Sequence, residues 1–280
     1  MFSRWRLVTV VLLFGAISHH AGTYVQFRTI WGDIDVELYD QDKPNTVRNF
    51  LRYVQSGRYQ NMFFHRCPTN PITRVTDFVV QGGGWFVEPG PSIARVPSFG
   101  TISNEFGVGR RLSNVYGTLA MAKVSGDTNS ASSEWFFNLG NNSFLDAPNA
   151  DGYFTVFGHV VRGTNILNQY RGRSINNGIQ NLGVPFDTLP VIYSGPGVPA
   201  SNQLEYVDIS LLSVQVKKVT GGREISWNSV QNRTNRVEFT TVLPPVWNQL
   251  IATNGTGARM TYTDTNTTAS RRFYRVRVDF

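Results

Sequence analysis

Residues 24 to 212 are built from short apolar runs separated by Gly, Pro, Asn and Asp, and only two stretches of that span carry a helical repeat. That pattern argues against a parallel α/β sheet, which needs a helix after nearly every strand. It favours a mainly β fold closed on itself as an antiparallel barrel. The first run, YVQFRTIWGDIDVELY, sets Val25 and Phe27, then Ile34, Val36 and Leu38, at alternate positions around Trp31-Gly32-Asp33, as a hairpin with one buried face requires. In DKPNTVRNFLRYVQSG, Pro44 suits a first helical turn, Val47, Phe50, Leu51 and Val54 share one face, and Gly57 marks a stop. A second short helix is expected over Thr164–Tyr170. Further strands are expected in YGTLAMAK, at Trp135–Leu139, at Phe154–Val161 and in EYVDISLLSV, with loops over Phe86–Asn114 and Asn176–Asn202.

Phe63 to Trp85 is where binding is most legible. FFHRCPTNPITRVTDFVVQGGGW holds two strand-like runs, an arginine at the end of the first, and glycines that let the second bend or approach another segment closely. An apolar wall with Arg66 at its rim is a binding site in outline. The glycines are no phosphate loop, because no Lys-Ser/Thr pair follows them. His19, His20, His65 and His159 show no ligand spacing and the single cysteine, Cys67, has no companion. Neither a metal site nor an internal disulfide is therefore expected.

The chain of 280 residues is long enough for one medium domain and one small one. Arg4 and Arg6 precede a 12-residue, mostly apolar run from Leu7 to Ser18 that ends in small residues, a signal-peptide pattern with cleavage near Ser18 or Ala21. An exported protein, periplasmic or secreted, is expected. Past KKVTGG the runs EISW, RVEFTTV, MTYTD and RFYRVRVDF suggest a small β-sandwich module. The expected divisions are a signal peptide over 1–18, a main domain over 23–216 and the β-rich module over 219–280. Of the net charge of +7, residues 213–280 carry +6, from ten Lys or Arg against Glu224, Glu238, Asp264 and Asp279. Such a basic module suits an anionic envelope surface.

From about Tyr24 to Val216 the ordered blocks VELY, FHR, FVVQGG, GTLAMA, SASS, FF, LD and FTVFGHVVRG resemble a cyclophilin, a peptidyl-prolyl cis-trans isomerase. The resemblance implies a closed eight-stranded antiparallel barrel with two capping helices. It also implies rotation of X-Pro bonds without a cofactor, proline-containing polypeptides as partners, a monomer, and no nucleic acid. Carried over by position, Arg66 is the catalytic arginine. Phe78, Val79 and Gln81 form the wall after it, Ala122 a contact on the next strand, Phe136 the floor of a proline pocket and Leu145 its side. Phe144 stands where many relatives have tryptophan, which implies weak binding of cyclosporin-type ligands, and Phe154 stands where they have histidine or tyrosine.

Two departures separate this chain from that pattern. Eleven residues, Cys67 to Asp77, lie between Arg66 and Phe78, where relatives usually have about four. An insertion of that size could move Arg66 from the pocket and leave Arg74 in its place. Glu134 replaces a usual glutamine and puts a carboxylate where it could pair with Arg66. Two functions follow: an exported isomerase acting as a folding helper, or a catalytically weak module of the same shape that holds proline-containing segments as a scaffold.

Overall fold

The computed structural model describes residues 23–279 apart from 70–76, 91, 149–151, 176, 193, 194, 196, 213, 230–233, 243, 244, 257, 258, 267 and 270. The expected signal peptide and Arg74 lie outside the described residues.

β1 (Tyr24–Thr29) and β2 (Gly32–Leu38) form the expected hairpin, with Phe27 opposite Ile34 and Val25 opposite Val36. α1 (Pro44–Gln55) follows, with Pro44 in its first turn, where a missing N–H costs nothing. No side chain of its own caps this helix. Instead the carboxylate of Glu105, buried on a distant loop, accepts the backbone N–H groups of Asn45 (3.1 Å) and Thr46 (2.8 Å). Val47, Phe50 and Val54 turn inward as expected, but Tyr53 takes the buried place that periodicity gave to Leu51, which is only partly buried.

The chain continues through β3 (Met62–Phe63), β4 (Val79–Gly82), β5 (Trp85–Val87), β6 (Ile93–Arg95), β7 (Thr118–Met121), β8 (Trp135–Asn138) and β9 (Val156–Arg162). Then come α2 (Thr164–Leu167), the two-residue strands β10 (Ile179–Gln180) and β11 (Leu189–Pro190), and β12 (Tyr206–Leu211). β5 with β6, and β10 with β11, are paired strands inside segments expected to be loops. Both pairs are too short to show a periodicity.

Ten strands make one antiparallel sheet in the order β4-β8-β7-β9-β2-β1-β12-β3-β5-β6. The sheet curls around a core of Phe27, Val36, Phe50, Trp135, Phe137 and Phe157. The closed eight-stranded barrel expected from the sequence is therefore corrected to a curled, ten-stranded, open sheet. Among the described residues its arc comes together only where Arg66 makes an isolated bridge to Gln81. A continuous ladder is interrupted there by a bend: Gly83 has φ +81°, and a Cβ on it would lie 2.4 Å from the Ser133 carbonyl oxygen. Only glycine fits, and the segment splits into β4 and β5 on either side.

Two three-stranded sheets complete the chain. β13 (Val214–Val219), β14 (Gly222–Asn228) and β17 (Arg259–Asp264) form one, and β15 (Thr234–Thr240), β16 (Asn248–Asn254) and β18 (Phe273–Asp279) the other. Ile225, Trp227 and Val237 are the buried centre of an apolar cluster drawn from both sheets.

Candidate active site

Strand register assembles the site. Arg66 bridges Gln81, Gln81 stands opposite Phe136 on β8, Phe136 opposite Ala120 on β7, and Ala120 opposite Val156 on β9. Directly opposed residues of an antiparallel sheet share a face, with neighbouring strands about 4.8 Å apart. These five side chains thus form one row across the outer face, while Val80, Phe137 and Phe157 point into the core. The insertion does not carry Arg66 away: Gln81 donates its backbone N–H to the Arg66 carbonyl (2.8 Å) and accepts that of His65 (3.0 Å). Arg66 and Gln81 are thus paired although 14 residues separate them in the chain.

Around the row, Val79, Phe136 and Leu145 are buried and Phe78, Ala122, Phe144 and Phe154 partly buried in a single apolar cluster. Phe78 stacks on Phe144 with ring centres 5.7 Å apart, and Phe136 meets Phe154 edge to face at 5.7 Å. All eight substrate-binding residues expected from the resemblance therefore lie together, seven in this cluster and Gln81 beside it on β4.

The polar end of the row is a chain of hydrogen bonds. Arg66 Nη1 donates to Gln81 Oε1 (3.4 Å), and Gln81 Nε2 donates to Glu134 Oε2 (2.6 Å). His65 Nε2 lies 3.4 Å and Arg95 Nη1 3.9 Å from the same carboxylate. Glu134 thus does not pair with Arg66 as expected but reaches it through Gln81. Burial alone would raise the Glu134 pKa, yet His65, Gln81 and Arg95 together hold it below the usual carboxylate range.

Residue-by-residue reading missed what pins the pocket's rim. Asn114, Asn138 and Asn142 are fully buried. Asn142 Nδ2 donates to the Phe78 carbonyl (2.7 Å) and to Asn138 Oδ1 (2.8 Å), and Asn138 Nδ2 donates to Asn114 Oδ1 (3.1 Å). Asn114 Nδ2 in turn donates to the Phe154 carbonyl (3.0 Å) and to Asp146 Oδ1 (2.8 Å). One buried amide chain therefore ties Phe78, Phe154 and the turn bearing Phe144 and Leu145. The only sequence signal was asparagine recurring next to apolar strands, which reads equally well as loop.

The family described as cyclophilin type peptidyl-prolyl cis-trans isomerase/CLD matches residues 24–182. The chain belongs to this family. A "Peptidyl-prolyl cis-trans isomerase" of Acinetobacter baylyi is 32% identical to this cyclophilin over 214 residues, 76% of this chain and 96% of that protein. "Peptidyl-prolyl cis-trans isomerase B" of Escherichia coli is 34% identical over 164 residues, 58% of this chain and 92% of that protein. A solved Cryptosporidium parvum cyclophilin type peptidyl-prolyl cis-trans isomerase, in the presence of the dipeptide Ala-Pro, aligns with TM-score 0.44 and 21% identity over 68% of this chain and 99% of that one.

Proposed function

We propose that this cyclophilin accelerates cis-trans rotation of X-Pro bonds, with Arg66 acting at the prolyl nitrogen and the Phe136 pocket holding the ring. Amide resonance sets the barrier at about 18 to 20 kcal/mol, and no covalent bond has to break. A cation that donates a hydrogen bond to the prolyl nitrogen as it pyramidalises stabilises the twisted state, in which the lone pair is localised. Arginine is suited to this because it stays protonated and its fork can hold the substrate carbonyl as well. One charge-assisted bond contributes about 1.5 to 3 kcal/mol, whereas a hundred-thousandfold acceleration needs about 7. The remainder falls to the apolar cluster and to Gln81, which fix the ring and the preceding residue in a dry frame.

The observation that carries this reading is the register: Arg66 sits on the same row as Phe136, with Gln81 between them. It also favours an enzyme over a passive scaffold, since the insertion leaves the arginine on that row. Proline exchange in a short X-Pro peptide, followed by NMR, is expected to slow at least a hundredfold on Arg66→Ala. Equal rates for wild type and variant would establish the scaffold instead.

Export through the segment 1–18, followed by action on proteins of the envelope or exterior, is the cellular part of the reading, supported by Arg4, Arg6 and the apolar run after them. The two C-terminal sheets are read as a sandwich-like attachment or protein-binding module. Removing residues 219–280 should spare peptide isomerisation and change localisation or partner capture, and a large loss of peptide activity would contradict that division.

A further inference from the structure

The C-terminal sheets hold a cluster of arginines that isomerisation does not use. Arg223, Arg271 and Arg272, with Phe273, line a hollow of about 470 Å³. Arg223 donates to the carbonyls of Asn266 (3.4 Å) and Ala269 (3.2 Å), and Arg272 donates to the same Asn266 carbonyl (3.5 Å). A single carbonyl oxygen thus draws two guanidinium groups together. The Arg272 side chain is only 5% exposed and rests 3.8 Å over the Phe239 ring. It is ion-paired with Asp264, which also accepts the Tyr274 hydroxyl (2.8 Å).

The charges do not balance. Among the described residues Asp264 is the one carboxylate in contact with this group, and it is spent on Arg272. Arg223 is satisfied by neutral carbonyls, and exposed Arg271 has no ion pair among the described residues. The hollow therefore carries about two positive charges, and like charges this close repel one another. Arg272 Nε is in addition a buried donor with no partner among the described residues, an arrangement that costs stability unless something accepts from it.

We infer that Arg223, Arg271 and Arg272 form a binding site for a phosphate group. A doubly charged oxyanion with several acceptor oxygens matches two neighbouring planar forks and neutralises the excess charge. The group could belong to a soluble phosphate compound or to the headgroup of an anionic lipid, and the chemistry at the arginines is the same. The site lies outside the proline pocket and does not depend on how that pocket functions.

The full chain is titrated with sodium phosphate, against sodium chloride at equal ionic strength, and the arginine side-chain N–H resonances are followed by NMR. A saturable response at Arg223 and Arg272 is expected, with at least tenfold weaker affinity in Arg271→Glu and in Arg223→Gln. Arg271 is exposed, so its variant keeps the fold, and proline exchange in both variants reports on the integrity of the rest of the chain. Retention on phosphatidylglycerol vesicles but not on phosphatidylcholine vesicles, lost in Arg271→Glu, assigns the phosphate to lipid. Saturable phosphate binding without vesicle retention assigns it to a soluble compound. No saturable response, or unchanged affinity in Arg271→Glu, overturns the site.

Discussion

Gln81 Nε2 donates to Glu134 Oε2 at 2.6 Å, and this bond determines which way the Gln81 amide faces. A carboxylate only accepts, so the NH2 must point at Glu134 and the carbonyl oxygen at Arg66, whose guanidinium only donates. Glutamine at position 134 would lift that restriction, because its own amide can donate or accept. Glu134→Gln is expected to lower kcat/KM about fivefold, as one charge-assisted bond becomes neutral, with little change in Tm. Glu134→Asp, one methylene too short to reach, should not restore it. A steady-state assay beside a melting curve separates this from a general loss of fold.

Acid should act through the same carboxylate. Because Glu134 titrates below its ordinary range in the folded chain, its contribution is complete above the unfolded-state pKa of about 4.3. It is lost as the pH falls through the lower folded value. Isomerisation should therefore stay level from pH 7 down to about 5 as far as this group is concerned. A loss centred near pH 6 that persists in Glu134→Gln would assign the sensitivity to another group.

Arg66→Lys keeps the charge but not the fork. Lysine is a point donor that cannot serve the Gln81 oxygen and a substrate carbonyl in one plane. It is expected to recover no more than about a tenth of the wild-type rate, a gap of about 1.4 kcal/mol in the barrier. Full activity in Arg66→Lys would mean that charge alone suffices.

The asparagine chain should hold the pocket as a unit. Asn138→Ala removes the donor to Asn114 Oδ1 and one of the two acceptors of Asn142 Nδ2, which keeps its bond to the Phe78 carbonyl. Leaving buried partners unmet costs about 1 to 3 kcal/mol each. Urea denaturation should report a loss in that range, and KM for the peptide should rise because Phe78 and Phe154 lose their shared tie.

Cys67 should be inert in the folded protein. Its thiol is buried against the Tyr170 carbonyl (3.7 Å), and burial, offset only in part by Arg173, pushes its pKa up to about 12. Almost no thiolate exists at pH 8, and reaction with a thiol-specific reagent should proceed only through unfolding. Stoichiometric labelling within minutes under native conditions would contradict this burial.

Much of the first hairpin was legible because its apolar residues recur at alternate positions, most cleanly in β2. Val25 and Phe27, and Ile34, Val36 and Leu38, are all fully buried, and the alternation placed each on the inner face. The helix over 44–55 was equally plain, although its N-terminal cap was not, since Glu105 lies 60 residues from Asn45. β13 and β16 were hidden for the opposite reason. As edge strands of small sheets they expose much of their length, so residues such as Lys217, Lys218, Asn248 and Gln249 blur the alternation.

By itself the sequence determined the residue types of the site, an arginine, a glutamine and a set of aromatic and aliphatic side chains in ordered blocks, because chemistry and strand period are local properties. Only the tertiary structure decided that Arg66 stays in register with Gln81. Bridge pairing of Arg66 with Gln81 is a long-range contact that no periodicity encodes. The same holds for the partner of Glu134. Charge alone favoured Arg66, but the sheet places Gln81 between them, and a hydrogen bond forms where geometry permits it rather than where charge is greatest.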